Sequence, residues 1–309
     1  MTLCNKEYPE IMIYDIFCLY LKDNFFLPFY HFFKMYYRIL IHQKNFTMKS
    51  LLPFVAIVFF ACKGNPEAEN INMIGTYKIV SNSVKSDTED TTYTNRNQLK
   101  IYTDEYMMYA NWNSDDSISG FGIGSYGINH DTLIENVVYS ARDTMIYDAE
   151  SSFILTIEQT PTGYVQTIPE MTTARGSKYT LKEDYERVGT GAKSSLDGAW
   201  RLDKRMEITG TDTVNIEQTQ YKAFWSGYFI WGNTYTDSLG KKRTGIGYGT
   251  FEMVGPDKLK ENMMSSTFAE VRGQAFDINI DMNGPDVYIQ TINHPSGTKS
   301  VESYVRLKK

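Results

Sequence analysis

The chain has 309 residues, 42% hydrophobic, 14% aromatic and 22% charged, with a formal net charge of −6. Six basic and four acidic residues lie before Cys62, so the chain from Cys62 onward carries −8; such a body repels a phosphate backbone, which excludes nucleic acid as an expected partner. All three cysteines, Cys4, Cys18 and Cys62, fall in the first fifth of the chain, so beyond Cys62 no disulfide and no cysteine-ligated metal is available.

Residues 1–47 are rich in Phe, Tyr, Ile and Lys, interrupted by charges, and show neither a cap nor a clean amphipathic period. A complete export signal begins only at Met48, so 1–47 reads as a leader translated from an upstream start; an extra membrane-associated helix is the other reading. From Met48, Lys49 precedes an apolar run from Leu51 to Phe60, followed by Ala61 and Cys62. Charge, apolar run and small residue come in the order of a secretory signal. The run is too short to cross a bilayer, which takes about 20 residues.

A small residue directly before a cysteine resembles the lipobox of bacterial lipoproteins, with Phe59 where leucine is commonest in that family. The resemblance implies that 48–61 is a signal peptide that is removed, and that Cys62, diacylated on sulfur, becomes the mature N-terminus and the tie to a membrane. An ordinary signal peptide with a chance cysteine is the alternative. Residues 62–72 have the polar composition of a tether. Lys63, where the retention signal resembled would have aspartate, points to the outer membrane and leaves the leaflet open.

The remainder runs twice through the same signals. Ile74-Gly75-Thr76-Tyr77-Lys78 is answered by Asp197-Gly198-Ala199-Trp200-Arg201, and Gln98-Leu99-Lys100 by Gln220-Tyr221-Lys222. Tyr106-Met107-Met108-Tyr109 is answered by Tyr228-Phe229-Ile230-Trp231, and Gly122-Ile123-Gly124 by Gly247-Tyr248-Gly249. Asp131 to Asn136 matches Asp257 to Asn262, and Tyr164-Val165-Gln166-Thr167-Ile168 matches Tyr288-Ile289-Gln290-Thr291-Ile292. Both halves close on a Tyr-x-Arg-apolar segment, Tyr185 to Val188 and Tyr304 to Leu307. Ordered matches of this kind mark a duplicated unit: 73–188 and 196–309, joined by 189–195, a flexible linker by composition.

Within a half the hydrophobic period is two. Strands are expected at 98–103, 105–112, 118–128, 132–140, 152–159, 163–168 and 178–188, separated by turns such as Asn129-His130-Asp131. Seven or eight short strands at this spacing indicate an all-β antiparallel sandwich or barrel. The order Gly-x-Trp/Tyr-Lys/Arg, Gly-x-Gly, Asp-x-Leu-x-Glu and closing Tyr-x-Arg resembles the lipocalin-like domains of small bacterial lipoproteins. That resemblance implies two tandem antiparallel up-and-down β-barrels, each with room for a small apolar ligand.

Catalytic signals are sparse. His130 and His294 both stand in turn-like contexts, a poor start for a metal site, and there is no nucleophile elbow. The glycines of Thr244 to Gly249 lack dinucleotide-fingerprint spacing and read as bends in a strand. Glu135 and Glu261 occupy matching strand positions and read as exposed strand residues, as the polar contact of a ligand in a cavity, or as an acid or base; lying in separate barrels they cannot work as a catalytic pair. Tyr106, Met108 and Trp112 share one strand face, and Tyr228 and Ile230 the matching face of the second copy. Their neighbours are also large and apolar, so these strands should be buried on both sides, either because the two barrels pack together or because one face lines a pocket. The function expected is therefore a non-enzymatic, lipid-anchored protein of the cell envelope, needing no cofactor or metal, that binds a small apolar or amphipathic ligand. A structural or interaction module with solidly packed barrels is the alternative.

Overall fold

The computed structural model of the chain describes residues 71–113, 118–172 and 176–309. The expected leader 1–47, the expected signal peptide 48–61, Cys62 and all but the last two residues of the expected tether lie outside them.

The first half forms β1 (Gly75–Lys85), β2 (Asp90–Tyr93), β3 (Gln98–Tyr102), β4 (Tyr106–Asn113), β5 (Ile118–Asn129), β6 (Thr132–Arg142), β7 (Met145–Tyr147), β8 (Ser151–Gln159), β9 (Gly163–Thr172) and β10 (Lys178–Val188). The second forms β11 (Gly198–Thr209), β12 (Asp212–Asn215), β13 (Thr219–Trp225), β14 (Tyr228–Thr236), β15 (Lys242–Gly255), β16 (Lys258–Ser266), β17 (Ala275–Met282), β18 (Val287–Asn293) and β19 (Lys299–Arg306). Each half is a closed antiparallel barrel of eight strands, sealed by β1 against β10 and by β11 against β19. β2, β7 and β12 are short additions on β1, β6 and β11. Closure leaves the main barrel strands with no unpaired edge.

The duplication extends to register. β1 shifts register between Ile79 and Ser81 against β10, and β11 between Leu202 and Lys204 against β19. β5 shifts between Ile123 and Gly124, and β15 between Tyr248 and Gly249. At the second of these pairs the strands approach too closely for a side chain: a Cβ on Gly124 would stand 2.1 Å from the Asn136 carbonyl oxygen, and one on Gly249 1.9 Å from that of Asn262. Gly124 and Gly249 are bulge residues where the barrel wall bends, in line with the reading of these glycines as bends in a strand.

One end of each barrel is closed by the opening and closing motifs acting on each other. Arg306, near the end of β19, lies 4.0 Å from the centre of the Trp200 ring and donates to the Asp197 and Ser195 carbonyls at 2.5 and 3.0 Å. Gly198, at φ +136°, makes room for it: a Cβ there would meet the guanidinium at 2.2 Å. In the first barrel Arg187 lies 5.0 Å over the Tyr77 ring and donates to its hydroxyl and to the Ile74 carbonyl.

Three apolar cores result. One fills each barrel: Tyr77, Tyr102, Met107, Leu133 and Tyr164 in the first, Trp200, Phe224, Phe229, Leu259 and Tyr288 in the second. The third lies between the barrels, where Leu99, Met108, Phe121 and Tyr139 meet Ala199, Ala223, Ile230 and Ile246. β3, β4 and β5 pack on their own counterparts β13, β14 and β15. Strands in this contact are buried on both faces, as in β5, where Ser119 to Gly124 are buried without a break, while those away from it alternate, as in β17. Polar groups seal the contact: the Tyr139 and Thr234 hydroxyls are 2.7 Å apart, and Thr244 donates to the Asp143 carbonyl at 2.6 Å. The segment 189–195 is more than a flexible spacer by composition, because Thr190 and Gly191 donate their N–H groups to Ser226 at 3.0 and 2.7 Å.

Candidate functional site

Each barrel carries a chain of buried polar side chains along its interior. In the second, the Lys222 ammonium donates to Glu261 Oε1 at 2.6 Å and to Gln290 Oε1 at 3.1 Å. Gln290 donates to Glu302 Oε2 at 2.7 Å, and the Tyr304 hydroxyl donates to the same oxygen at 2.6 Å. Gln220 donates to Tyr304, and Asn233 to Gln220. In the first, Lys100 reaches Glu135 Oε1 at 2.6 Å and Gln166 at 3.3 Å, across the lumen from β3 to β6 and β9. Gln166 donates to Glu183, Tyr185 to the same carboxylate at 3.1 Å, Gln98 to Tyr185 and Asn111 to Gln98. These members match one for one, but the networks differ at two places: Tyr102 donates to Glu135 Oε1 at 2.6 Å in the first where the second has Phe224, and Arg205 approaches Glu302 in the second where the first has Asn82. Such a network is costly to bury unless every member is paired, and its extent shows how far each interior departs from an oily core.

Burial governs the acid–base state of these groups. It raises the carboxyl pKa of Glu183 and Glu261, with Lys100 and Lys222 respectively opposing the shift. Burial likewise holds the Tyr102, Tyr164, Tyr185, Tyr288 and Tyr304 hydroxyls well above 10, so they remain protonated donors at neutral pH.

The two barrels differ at the end away from the closing arginines. The first opens there into a cavity of about 890 Å³, with Asn82, Gln98, Asn111 and Glu183 on its inner part and Ile79 and Leu181 on its walls. Tyr93, Tyr147, Tyr179, Arg142 and Lys178 stand toward the rim. In the second barrel the same place is filled from within. Phe268 stacks on Trp231 with ring centres 5.9 Å apart and covers Gly245, the counterparts of the cavity residues Tyr109 and Gly120. Phe268 leads into a one-turn 3-10 helix, Ala269–Val271, whose Val271 packs on the second core. Arg205, on β11, is held nearby by Glu207 and Gln218 at 2.9 and 3.1 Å.

The residues singled out from sequence divide between two places. Glu135 and Glu261 are inside the barrels, 5% and 4% exposed, which overturns the reading of either as an exposed strand glutamate. Met108 and Ile230 lie in the core between the barrels, and Tyr106, Trp112 and Tyr228 pack against it. These five face out of their barrels, so of the two explanations for strands apolar on both faces the packing of barrel on barrel is the one observed. Tyr106 donates its hydroxyl to the Lys308 carbonyl at 3.0 Å, and Arg272 lies 5.1 Å over the Trp112 ring. His130 and His294 sit in exposed turns of different barrels, bonded to Asn129 and Ser300. Among the described residues no cluster of three or more His, Cys, Asp or Glu side chains could hold a metal, and no helix is long and apolar enough to cross a membrane.

Sequence reasoning passed over Lys100, Gln166 and Glu183 with their counterparts Lys222, Gln290 and Glu302. Lys100 and Gln166 stood inside the repeat matches, where their recurrence at matching positions was itself the signal.

No family model and no curated protein matches this chain. Among solved structures, it is similar to a protein of unknown function from the DUF3598 family of Nostoc punctiforme at 10% identity, over 76% of this chain and 96% of that one, with a TM-score of 0.20. At that score the likeness carries no argument.

Proposed function

We propose that this protein is a non-enzymatic lipoprotein of the bacterial cell envelope, lipocalin-like in both halves, whose first barrel binds a small amphipathic molecule in its mouth while the second serves as a packed structural partner. One observation carries the reading: of two barrels with the same strands and closely matched internal networks, the first keeps a cavity of about 890 Å³ where the second is filled by its own side chains. A cavity of this size, apolar on its walls and polar at one end, matches small-molecule sites in general. The signal-like run before Cys62 supports a lipid anchor at that cysteine and residence in the outer membrane.

Native mass spectrometry of the protein purified from its own host tests both parts. The expected result is a mature chain starting at a diacylated Cys62, with a small molecule retained by the wild type and absent from Ser140→Trp, which fills the mouth. An unmodified Cys62 would remove the anchor. Empty protein from the host would favour the alternative, an envelope interaction module, toward which the filled second barrel already leans.

A further inference from the structure

The position that differs most tellingly between the two networks is the residue facing the glutamate of the closing strand. In the second barrel this is Arg205, paired in register with Glu302; in the first it is Asn82, paired in register with Glu183. The Arg205 guanidinium donates to Glu207 Oε1 at 2.9 Å and Gln218 Oε1 at 3.1 Å, and its Nε lies 3.7 Å from Glu302 Oε1. The second interior thus sets Lys222 and Arg205 against Glu261, Glu302 and the half-exposed Glu207, with Arg205 nearer to Glu207 than to Glu302. The first has Val84 in the place of Glu207 and, among the described residues, sets Lys100 alone against the buried Glu135 and Glu183. Both hydrogen bonds accepted by Glu183 land on Oε2. Among the described residues no cation comes within ion-pair distance of Glu183, and the side-chain oxygen of Asn82 is buried without a hydrogen-bond donor. Both residues line the cavity. Of the described basic residues lining the cavity, Lys178 pairs with Glu170 at 3.3 Å, Arg96 lies 4.7 Å over Tyr93, and Arg142 forms no ion pair with Glu183.

We infer that the ligand of the first barrel is an organic cation, an ammonium or guanidinium group on a small apolar body, whose charged end takes the place that Arg205 fills in the second barrel. Its N–H groups would donate to Glu183 Oε1 and Asn82 Oδ1, and its apolar body would lie on Ile79, Val84 and Leu181. A buried carboxylate that a cation reaches only from beyond ion-pair distance, as Lys100 reaches Glu183, is the situation a ligand can relieve, and a charge-assisted hydrogen bond in a partly dry site is the stronger kind. Burial raises the Glu183 pKa in the empty barrel, and pairing with a cation would bring it down again.

This rests on the cavity-binding reading above, and the experiment separates the two. Isothermal titration calorimetry on the full chain near neutral pH uses three probes with one apolar tail: octylguanidinium, octyl glucoside and octyl sulfate. One octylguanidinium per chain is expected, with the neutral and anionic probes at least tenfold weaker. Glu183→Gln should weaken the cation at least tenfold and leave octyl glucoside unchanged. Asn82→Arg, which gives the first barrel the guanidinium of the second, should abolish cation binding and raise the melting temperature. Equal binding of all three probes, or cation binding that survives either substitution, overturns the inference while leaving a ligand-binding barrel in place. Binding of none of them by the wild type removes the cavity reading itself. Should Glu183→Gln fail to fold, the wild-type selectivity and Asn82→Arg still decide.

Discussion

Lys222 is the most buried cation of the second barrel, its side chain 2% exposed, and it is held by Glu261, 5% exposed, at 2.6 Å. The ammonium also lies 5.0 Å from the Phe224 ring and donates to Gln290, so it ties carboxylate, amide and aromatic together in one place. Removing one member of a buried ion pair strands the other without water, whereas removing both can be nearly neutral. Lys222→Met is therefore expected to lose about 3 kcal/mol of stability, and Lys222→Met with Glu261→Leu to recover most of it. A double-mutant cycle by urea unfolding measures the coupling; additive losses would mean that the pair contributes nothing as a pair.

At the scale of strands, closing a sheet of eight members requires bends, and register shifts supply them, two of which recur at matching places in both barrels. At Gly249 the backbone of β15 lies so near β16 that an added Cβ would stand 1.9 Å from the Asn262 carbonyl oxygen. The atom in the way is a backbone carbonyl oxygen, which no rotamer change can move. Gly249→Ala should cost about 1–3 kcal/mol. Gly127, near the end of β5, has nothing within 4 Å of its added Cβ, so Gly127→Ala should leave stability unchanged or raise it by a few tenths of a kcal/mol, since alanine has less freedom to lose on folding. Thermal melts of the two variants test this directly; equal losses would show that the bend does not depend on close strand approach.

At the scale of the whole protein, residues 69–309 form one compact unit. The two barrels share a third core, and Ile230 is fully buried in it. A barrel freed of its partner would expose Leu99, Met108 and Phe121, or Ile230 and Ile246, to water. The full chain is thus expected to melt in one calorimetric transition, and Ile230→Asp, which places an unpaired charge there, to lose on the order of 4 kcal/mol. Two separate transitions in the wild type would contradict a shared core. The asymmetry of the mouths also belongs to this scale: once duplicated, one barrel can become packing while the other keeps its opening.

Duplication, strand period and turn chemistry are local properties, and local order in the chain determined them. The expected strands 118–128 and 178–188 correspond to Ile118–Asn129 and Lys178–Val188, because alternation and turn residues are written in neighbouring positions. The face each strand presents is not written so. On β4 every position from Tyr106 to Ala110 is large or apolar, and no contrast marks which set enters the lumen and which meets the other barrel. Glu135 and Glu261 were visible as a repeated pair but not as buried ones, because their partners Lys100 and Lys222 lie 35 and 39 residues away and join them only across a closed lumen. Barrel closure decided that, and the packing of Phe268 decided which mouth stays open. Both follow from which distant side chains share one small volume, a quantity that the order of residues along the strands does not contain.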